Sequence, residues 1–261
     1  MTAPDADTPR VEIDGQGASL EQLREAALDA YGHFTAMQVR SGRVRGLGQH
    51  MARLDSANRE LFGAGLASAE ICSLIRHALD NTDDASVRVY IRQRQDRPSV
   101  MVTVRPPGGM LSAPWKLQSV PYQRSLAHIK HLADFGQGYY QLRARRDGFD
   151  EALLTGPDAV ISEGGMTNIG FWDGSSVVWP MAPALQGITM QLLDLAIADA
   201  GLATRRAVVR VPDMGSFSAA FVTNARGIAP VGQIDDRALP SDVDIMRTLT
   251  ELYQSAPWDR I

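Results

Sequence analysis

The sequence predicts an α+β protein built in two lobes. Three observations carry that expectation. Segments that alternate apolar and polar residues with period two, such as HFTAMQVR at 33–40 and SVRVYIRQR at 86–94, are interleaved with segments of helical period. A Pro- and Gly-rich run, PPGGMLSAP at 106–114, breaks the pattern. Beyond it the alternation of strands and helices restarts.

Taken in order, residues 1–18 are expected to be disordered, and SLEQLREAALDA at 19–30 reads as a helix with a Ser cap. Strands at 33–40 and 43–47 flank the Ser41-Gly42 turn signal and form a hairpin. Residues 48–62 place His50, Leu54, Ala57 and Leu61 on one helical face, and another helix follows at 67–80. Strands at 86–94 and 99–105 complete a smaller lobe over 19–107, with a linker at 108–114 and a larger lobe over 115–261. The larger lobe reads as a strand near 116–120, a helix at 132–147, and strands near 151–155, 159–162, 167–172 and 176–179. A helix from Gly187 to about 200, short strands near 206–211 and 219–223, and a terminal helix at 241–254 follow.

Composition narrows the function classes. With 261 residues, 44% hydrophobic and 21% charged, the chain is an ordinary globular protein with a sizeable core. A net charge of −4, with Arg scattered among acids, argues against nucleic acid as a partner. The acidic start MTAPDADTPR and the absence of a run of about 18 apolar residues predict neither a secretory signal nor a membrane span. One cysteine, Cys72, fits a reducing cytoplasm. His128 and His131 could contact zinc, but no third ligand lies nearby, so no metal is expected.

Of 26 basic residues only Lys116 and Lys130 are lysines. A covalent link to a carbonyl needs a primary amine that can lose its proton, which a guanidinium cannot supply. Glu163 follows Lys130 by 33 positions, in VISEGGMTNIGFW, where a carboxylate could face a ring nitrogen; Asn168 could orient it. Gly187-Ile188-Thr189 opens a helix whose free N–H groups suit a phosphate, and Thr223-Asn224 ends an apolar strand with small donors. Arg53 is a candidate partner for the same phosphate. Each feature alone has a bland reading: a surface lysine, a turn glutamate, a helix cap, a solvated arginine.

Their order decides among these readings. The series FTAMQV, RVRGL, HMARL, IKHL, DEALL, SEG, TN, LQGIT and FVTN–GIAPV–ID, spanning about residues 31–235, resembles the class IV aminotransferases, the fold-type IV pyridoxal 5'-phosphate (PLP) enzymes. That resemblance implies two lobes, a smaller N-terminal α/β lobe and a larger β-barrel-like lobe with helices. It implies a homodimer, and PLP as cofactor. Lys130 matches the Schiff-base lysine and is the implied catalytic residue. Glu163 matches the partner of the pyridine nitrogen, with Asn168 beside it. Arg53, Ile188, Thr189, Thr223 and Asn224 match phosphate-binding positions. Phe34, Phe135, Gly165, Met166 and Ala225 fall at substrate-pocket positions.

The implied activity is transfer of an amino group between a small amine or amino acid and an oxo acid. The alternatives are an aminodeoxychorismate-lyase-like reaction, since FTA and IKHL also resemble those lyases, and a PLP-binding protein with little turnover. Two departures bear on substrate choice: Phe135 stands where many members have a Tyr, and Met190 where Gly-Ile-Thr-Arg is familiar. No carboxylate clamp is singled out, and Arg40, Arg88 and Arg124 are all conceivable.

Overall fold

In the computed structural model, residues 9–110, 113–240 and 242–261 are described. Contacts divide the chain into two compact units. The first comprises Met1–Gly108, Ile129–Ala133 and Pro257–Ile261; the second comprises Gly109–His128 and Asp134–Ala256.

The first unit contains β1 (Arg10–Ile13), β2 (Gln16–Gly17), α1 (Leu20–Leu28), β3 (His33–Arg40), β4 (Arg43–Arg45), α2 (Leu47–Phe62), α3 (Ser68–Leu79), β5 (Ala85–Arg94) and β6 (Arg97–Arg105). With the last strand of the chain, Trp258–Arg260, they form a seven-stranded sheet in the order terminal strand, β4, β3, β5, β6, β1, β2. Period-two alternation sends Met37, Val39, Val87, Val89 and Ile91 to one face, where they pack with Leu54 of α2 and Ile71 and Ile75 of α3. Burying each such side chain stabilises the fold by about 1.5–3 kcal/mol. The opposite face carries Phe34, Ala36 and Gln38 beside Tyr90, Arg88 and Ser86, paired across the strands in that order. Gly63 ends α2 with φ +72, a left-handed conformation that spares a β-carbon clash.

Residues 10–17 are ordered, which corrects the expectation of disorder through residue 18. The hairpin turns at Asp14 and Gly15, both with positive φ, and β1 pairs along β6. Asp14 also accepts from Val100 N at 2.7 Å and Ser99 Oγ at 3.0 Å. Residues 1–8 lie outside the described residues, as do 111 and 112 of the expected linker.

The second unit contains β7 (Trp115–Pro121), α4 (Phe135–Arg146), β8 (Glu151–Thr155), β9 (Ile161–Gly164), β10 (Asn168–Trp172), β11 (Ser176–Pro180), α5 (Ile188–Asp199), β12 (Ala203–Ala207), β13 (Ala219–Asn224), β14 (Gly227–Ile234), β15 (Arg237–Ala238) and α6 (Val243–Ser255). The strands form one curled sheet in the order β12, β11, β10, β13, β14, β7, β8, β9, with β15 on β14. Leu117, Leu153, Phe171, Val222 and Val231 pack on one side. Trp179 and Phe221 pack with Leu193 of α5 and Leu249 of α6. The protein is α+β, with a half-barrel sheet in its larger unit.

Two expected elements shift and one strand is new. The helix expected at 132–147 begins at Phe135, because residues 130–132 are held in extended form against β3. The strand expected at 206–211 lies at 203–207 and is followed by a 3-10 turn, Val211–Ser216, with Pro212 in its first turn. Strand β14 was not anticipated.

Candidate active site

The candidate residues fall in two groups, one in each unit. In the first unit, Lys130 lies in an extended segment. Its carbonyl accepts from Phe34 N at 2.8 Å, Leu132 N donates to Gly32 O at 2.9 Å, and His131 bridges His33. The lysine is thereby clipped to the start of β3. Its Nζ lies over the Phe34 ring, 4.8 Å from the centroid, and that ring stacks on Tyr90 at 5.4 Å.

Arg53, from α2, donates through Nη2 to Thr35 Oγ1. Thr35 Oγ1 in turn lies 2.6 Å from His50 Nδ1. Because Arg53 is only a donor, the Thr35 proton goes to Nδ1, which requires a neutral imidazole. Burial supplies that condition, holding the His50 pKa well below its ordinary value, with Arg53 adding repulsion. Burial also lowers Arg53 itself to about 10. Its Nε is buried and has no hydrogen-bond partner. The nearby His33 is lowered to about 4, chiefly by burial.

In the second unit, Glu163 sits on β9 with 5% of its surface exposed. Its Oε1 accepts from Arg124 Nη1 at 3.1 Å, and its Oε2 from Leu185 N at 3.2 Å. Arg124 is itself buried, donating to Ala127 O at 2.8 Å and Gln137 Oε1 at 3.0 Å. Gln137 Nε2 donates to Gly165 O at 2.6 Å, closing a chain from the carboxylate to the turn that follows it. Asn168 Nδ2 donates to Leu185 O at 2.6 Å, so it orients the segment whose amide meets Glu163. A β-carbon on Gly187 would collide with Asn168 Oδ1, so this approach requires glycine.

Gly187 caps α5 without a side-chain hydrogen bond, leaving Ile188 and Thr189 in its first turn. Thr189 Oγ1 donates to Asn224 O at 2.7 Å, tying that helix start to the β13–β14 turn. Thr223 pairs with Asn168 across β13 and β10. Its hydroxyl is fully buried and has no partner. A buried, unmet hydroxyl normally costs about 1–3 kcal/mol.

Among the pocket candidates, Gly165 and Met166 share the turn after Glu163, and Ala225 shares the turn after Thr223-Asn224. Phe135 opens α4, is 86% exposed and stacks on Tyr139. Met190 is buried in the core with Trp179 and Phe221, so that departure from the familiar motif concerns packing. Sequence reasoning missed Glu151. It is buried, accepts from Met166 N and from Thr167 Oγ1 at 3.2 Å, and burial raises its pKa to about 7. The signal was an acid at the head of the largely apolar EALLT. No group of three or more His, Cys, Asp or Glu able to hold a metal occurs among the described residues.

The amino-transferase class IV family model matches residues 32–234. The chain belongs to that family. It is therefore an enzyme of the transaminase type. No curated protein matches it. Among solved structures it is similar to a hypothetical aminotransferase from Mycobacterium tuberculosis in its PLP-bound form, with TM-score 0.77, 20% identity, and 88% of this chain and 90% of that chain covered. It is also similar to the Escherichia coli branched-chain amino acid aminotransferase, with TM-score 0.82, 18% identity and 97% and 95% covered. A branched-chain aminotransferase from Thermoproteus uzoniensis gives TM-score 0.80, 19% identity and 94% and 93% covered. At such identities these likenesses speak for the fold.

Proposed function

We propose that this class IV aminotransferase uses PLP, held by Lys130, Glu163, Arg53 and the Thr223–Thr189 cradle, to move an amino group from a small amine or amino acid to an oxo acid. The observation that carries the reading is the Thr223 hydroxyl, buried and without a partner beside an uncapped helix start. Such a group fits a phosphate that accepts its proton, and the amides of Ile188 and Thr189 add donors in the part of a helix that favours anions. Arg53 contributes charge, and its partnerless Nε is a further donor. When bound, PLP supplies an electron sink for the charge that develops at the substrate Cα.

Each residue then has a distinct task. Lys130 Nζ would hold the cofactor and would serve as the base that takes the proton from the substrate Cα. Glu163 holds a proton at the pyridine nitrogen, and Asn168 keeps the carboxylate oriented through Leu185. Phe34, Phe135, Gly165, Met166 and Ala225 are the residues we read as contacting substrate. We further read the enzyme as a cytoplasmic homodimer; the exposed stripe of Phe135, Tyr139 and Leu142 along α4 supports a subunit contact. No helix among the described residues is long and apolar enough to cross a membrane.

Absorbance of the PLP-loaded protein tests the reaction. Donor amines should convert the cofactor to its amino form, and an added oxo acid should reverse the change. Pyruvate release from aminodeoxychorismate without that conversion would assign a lyase instead.

A further inference from the structure

We infer that Glu151 is a positioning residue for the reaction: its carboxyl group fixes the turn that presents Gly165 and Met166, and so sets substrate affinity without touching substrate. This rests on the reading of Gly165 and Met166 as contacting substrate. The turn needs such support. It joins β9 to β10, yet β9 pairs with β8, and β10 pairs with β11 and β13. Neither Gly165 nor Met166 has the positive φ of the turns that close a tight hairpin. The N–H groups of the turn therefore lack ladder partners and must find acceptors elsewhere.

Those acceptors can be named one by one. Gly164 N donates to Thr167 O and Gly165 N to Ala152 O, both at 2.8 Å. Met166 N donates to Glu151 Oε1, Thr167 Oγ1 donates to the same oxygen at 3.2 Å, and the Thr167 amide is a further donor to this carboxyl group. Glu151 is itself 1% exposed and pinned from α4. Gln141 Nε2 donates to Asp150 O at 2.9 Å and its Oε1 accepts from Ala152 N at 3.2 Å, which holds the backbone on both sides of Glu151. The fit is close: a β-carbon on Gly164 would sit 2.8 Å from Glu151 Oε1, and one on Gly165 3.0 Å from Gln141 Oε1. Glu163, just before the turn, is held by Arg124 and Leu185 N, so the two carboxyl groups have separate supports. A side chain that keeps a carbonyl oxygen in place of Glu151 keeps the hold. One without it strands the Met166 and Thr167 donors.

The test compares wild type, Glu151→Gln, Glu151→Leu and Thr167→Val, each loaded with PLP. L-alanine, D-alanine, L-glutamate and 1-phenylethylamine are titrated as donors, and the half-reaction is followed by cofactor absorbance. Hydrogen exchange of the peptide carrying Met166 and Thr167 is read by mass spectrometry. Glu151→Leu should raise the half-saturating donor concentration, and speed exchange of the turn, at least about tenfold, as expected for a lost hydrogen bond to a charged group. Its saturating rate and PLP affinity should stay within about twofold of wild type, the pattern of a lost binding contribution. Glu151→Gln should lie close to wild type, and Thr167→Val, which removes one donor and keeps the shape, should fall between. Unchanged half-saturation or exchange in Glu151→Leu would overturn the inference, as would a Glu151→Gln equally impaired. If Glu151→Leu does not fold, wild-type values in Thr167→Val would overturn it. A wild type that converts no donor defeats the transaminase reading instead, and the exchange data still decide whether Glu151 holds the turn.

Discussion

Arg124 Nη1 lies 3.1 Å from Glu163 Oε1, with both side chains almost wholly removed from solvent. The pair has the supporting bonds that a buried ion pair needs: Leu185 N on the carboxylate, and Ala127 O and Gln137 on the guanidinium. Removing one partner strands the other charge. Arg124→Ala should therefore destabilise the protein by about 3–5 kcal/mol. Urea unfolding measures it, and a loss under about 1 kcal/mol would show that the pair contributes little.

Thr223→Val should do two opposite things. Replacing a buried hydroxyl that has no partner by a methyl of like shape should raise the stability of the cofactor-free protein by about 1 kcal/mol. The same change removes a phosphate donor, so PLP affinity should fall about tenfold, the loss of one hydrogen bond to a charged group. Thermal unfolding without PLP and a PLP titration read the two effects; a destabilised apo protein would mean that the hydroxyl has a partner in solution.

Glu151 sets a pH dependence. Its folded pKa, raised to about 7 from 4.5, means that the folded state binds the proton more tightly than the unfolded chain. Its contribution is fully present below about pH 4.5 and is lost as pH rises to 7, by about 3 kcal/mol. Glu151→Gln lacks this dependence. The stability difference, wild type minus variant, should fall by about that amount between pH 4.5 and 8 in urea unfolding; parallel curves would contradict the assignment.

His33 works in the other direction. Asn58 Nδ2 is committed to Ala64 O at 2.7 Å, so Asn58 Oδ1 faces His33 Nε2, which must carry the proton. Its folded pKa of about 4 lies below 6.5, so its contribution is present above pH 6.5 and is lost as pH falls to 4, by about 3 kcal/mol. In His33→Gln that acid-side loss should be smaller by this amount, read from denaturation midpoints at pH 4 and 7.

What the sequence disclosed follows physical range. Strands β3 and β5 were legible because each buries every second residue, and α2 because its apolar residues recur at helical spacing. Strand β14 was hidden: GIAPVGQI carries two glycines and a proline, and only its pairing with β13 and β7 makes it a strand. The β1–β2 hairpin did have a local signal, Asp14-Gly15, which went unread. Lys130, Glu163 and the residues proposed for the phosphate cradle were singled out by their order along the chain. Arg124 on Glu163, the extended segment around Lys130, and Glu151 under the Met166 turn depend on contacts between distant segments, which no local pattern encodes.

The central claim is that Lys130 holds the cofactor, and a chain with two lysines makes it directly testable. The PLP-loaded protein is reduced with borohydride, digested, and its peptides are weighed by mass spectrometry. The account predicts a phosphopyridoxyl group on Lys130, and its loss, together with the absorbance band, in Lys130→Ala. Label confined to Lys116 or the chain's amino terminus, or a reduced protein without label, would contradict it.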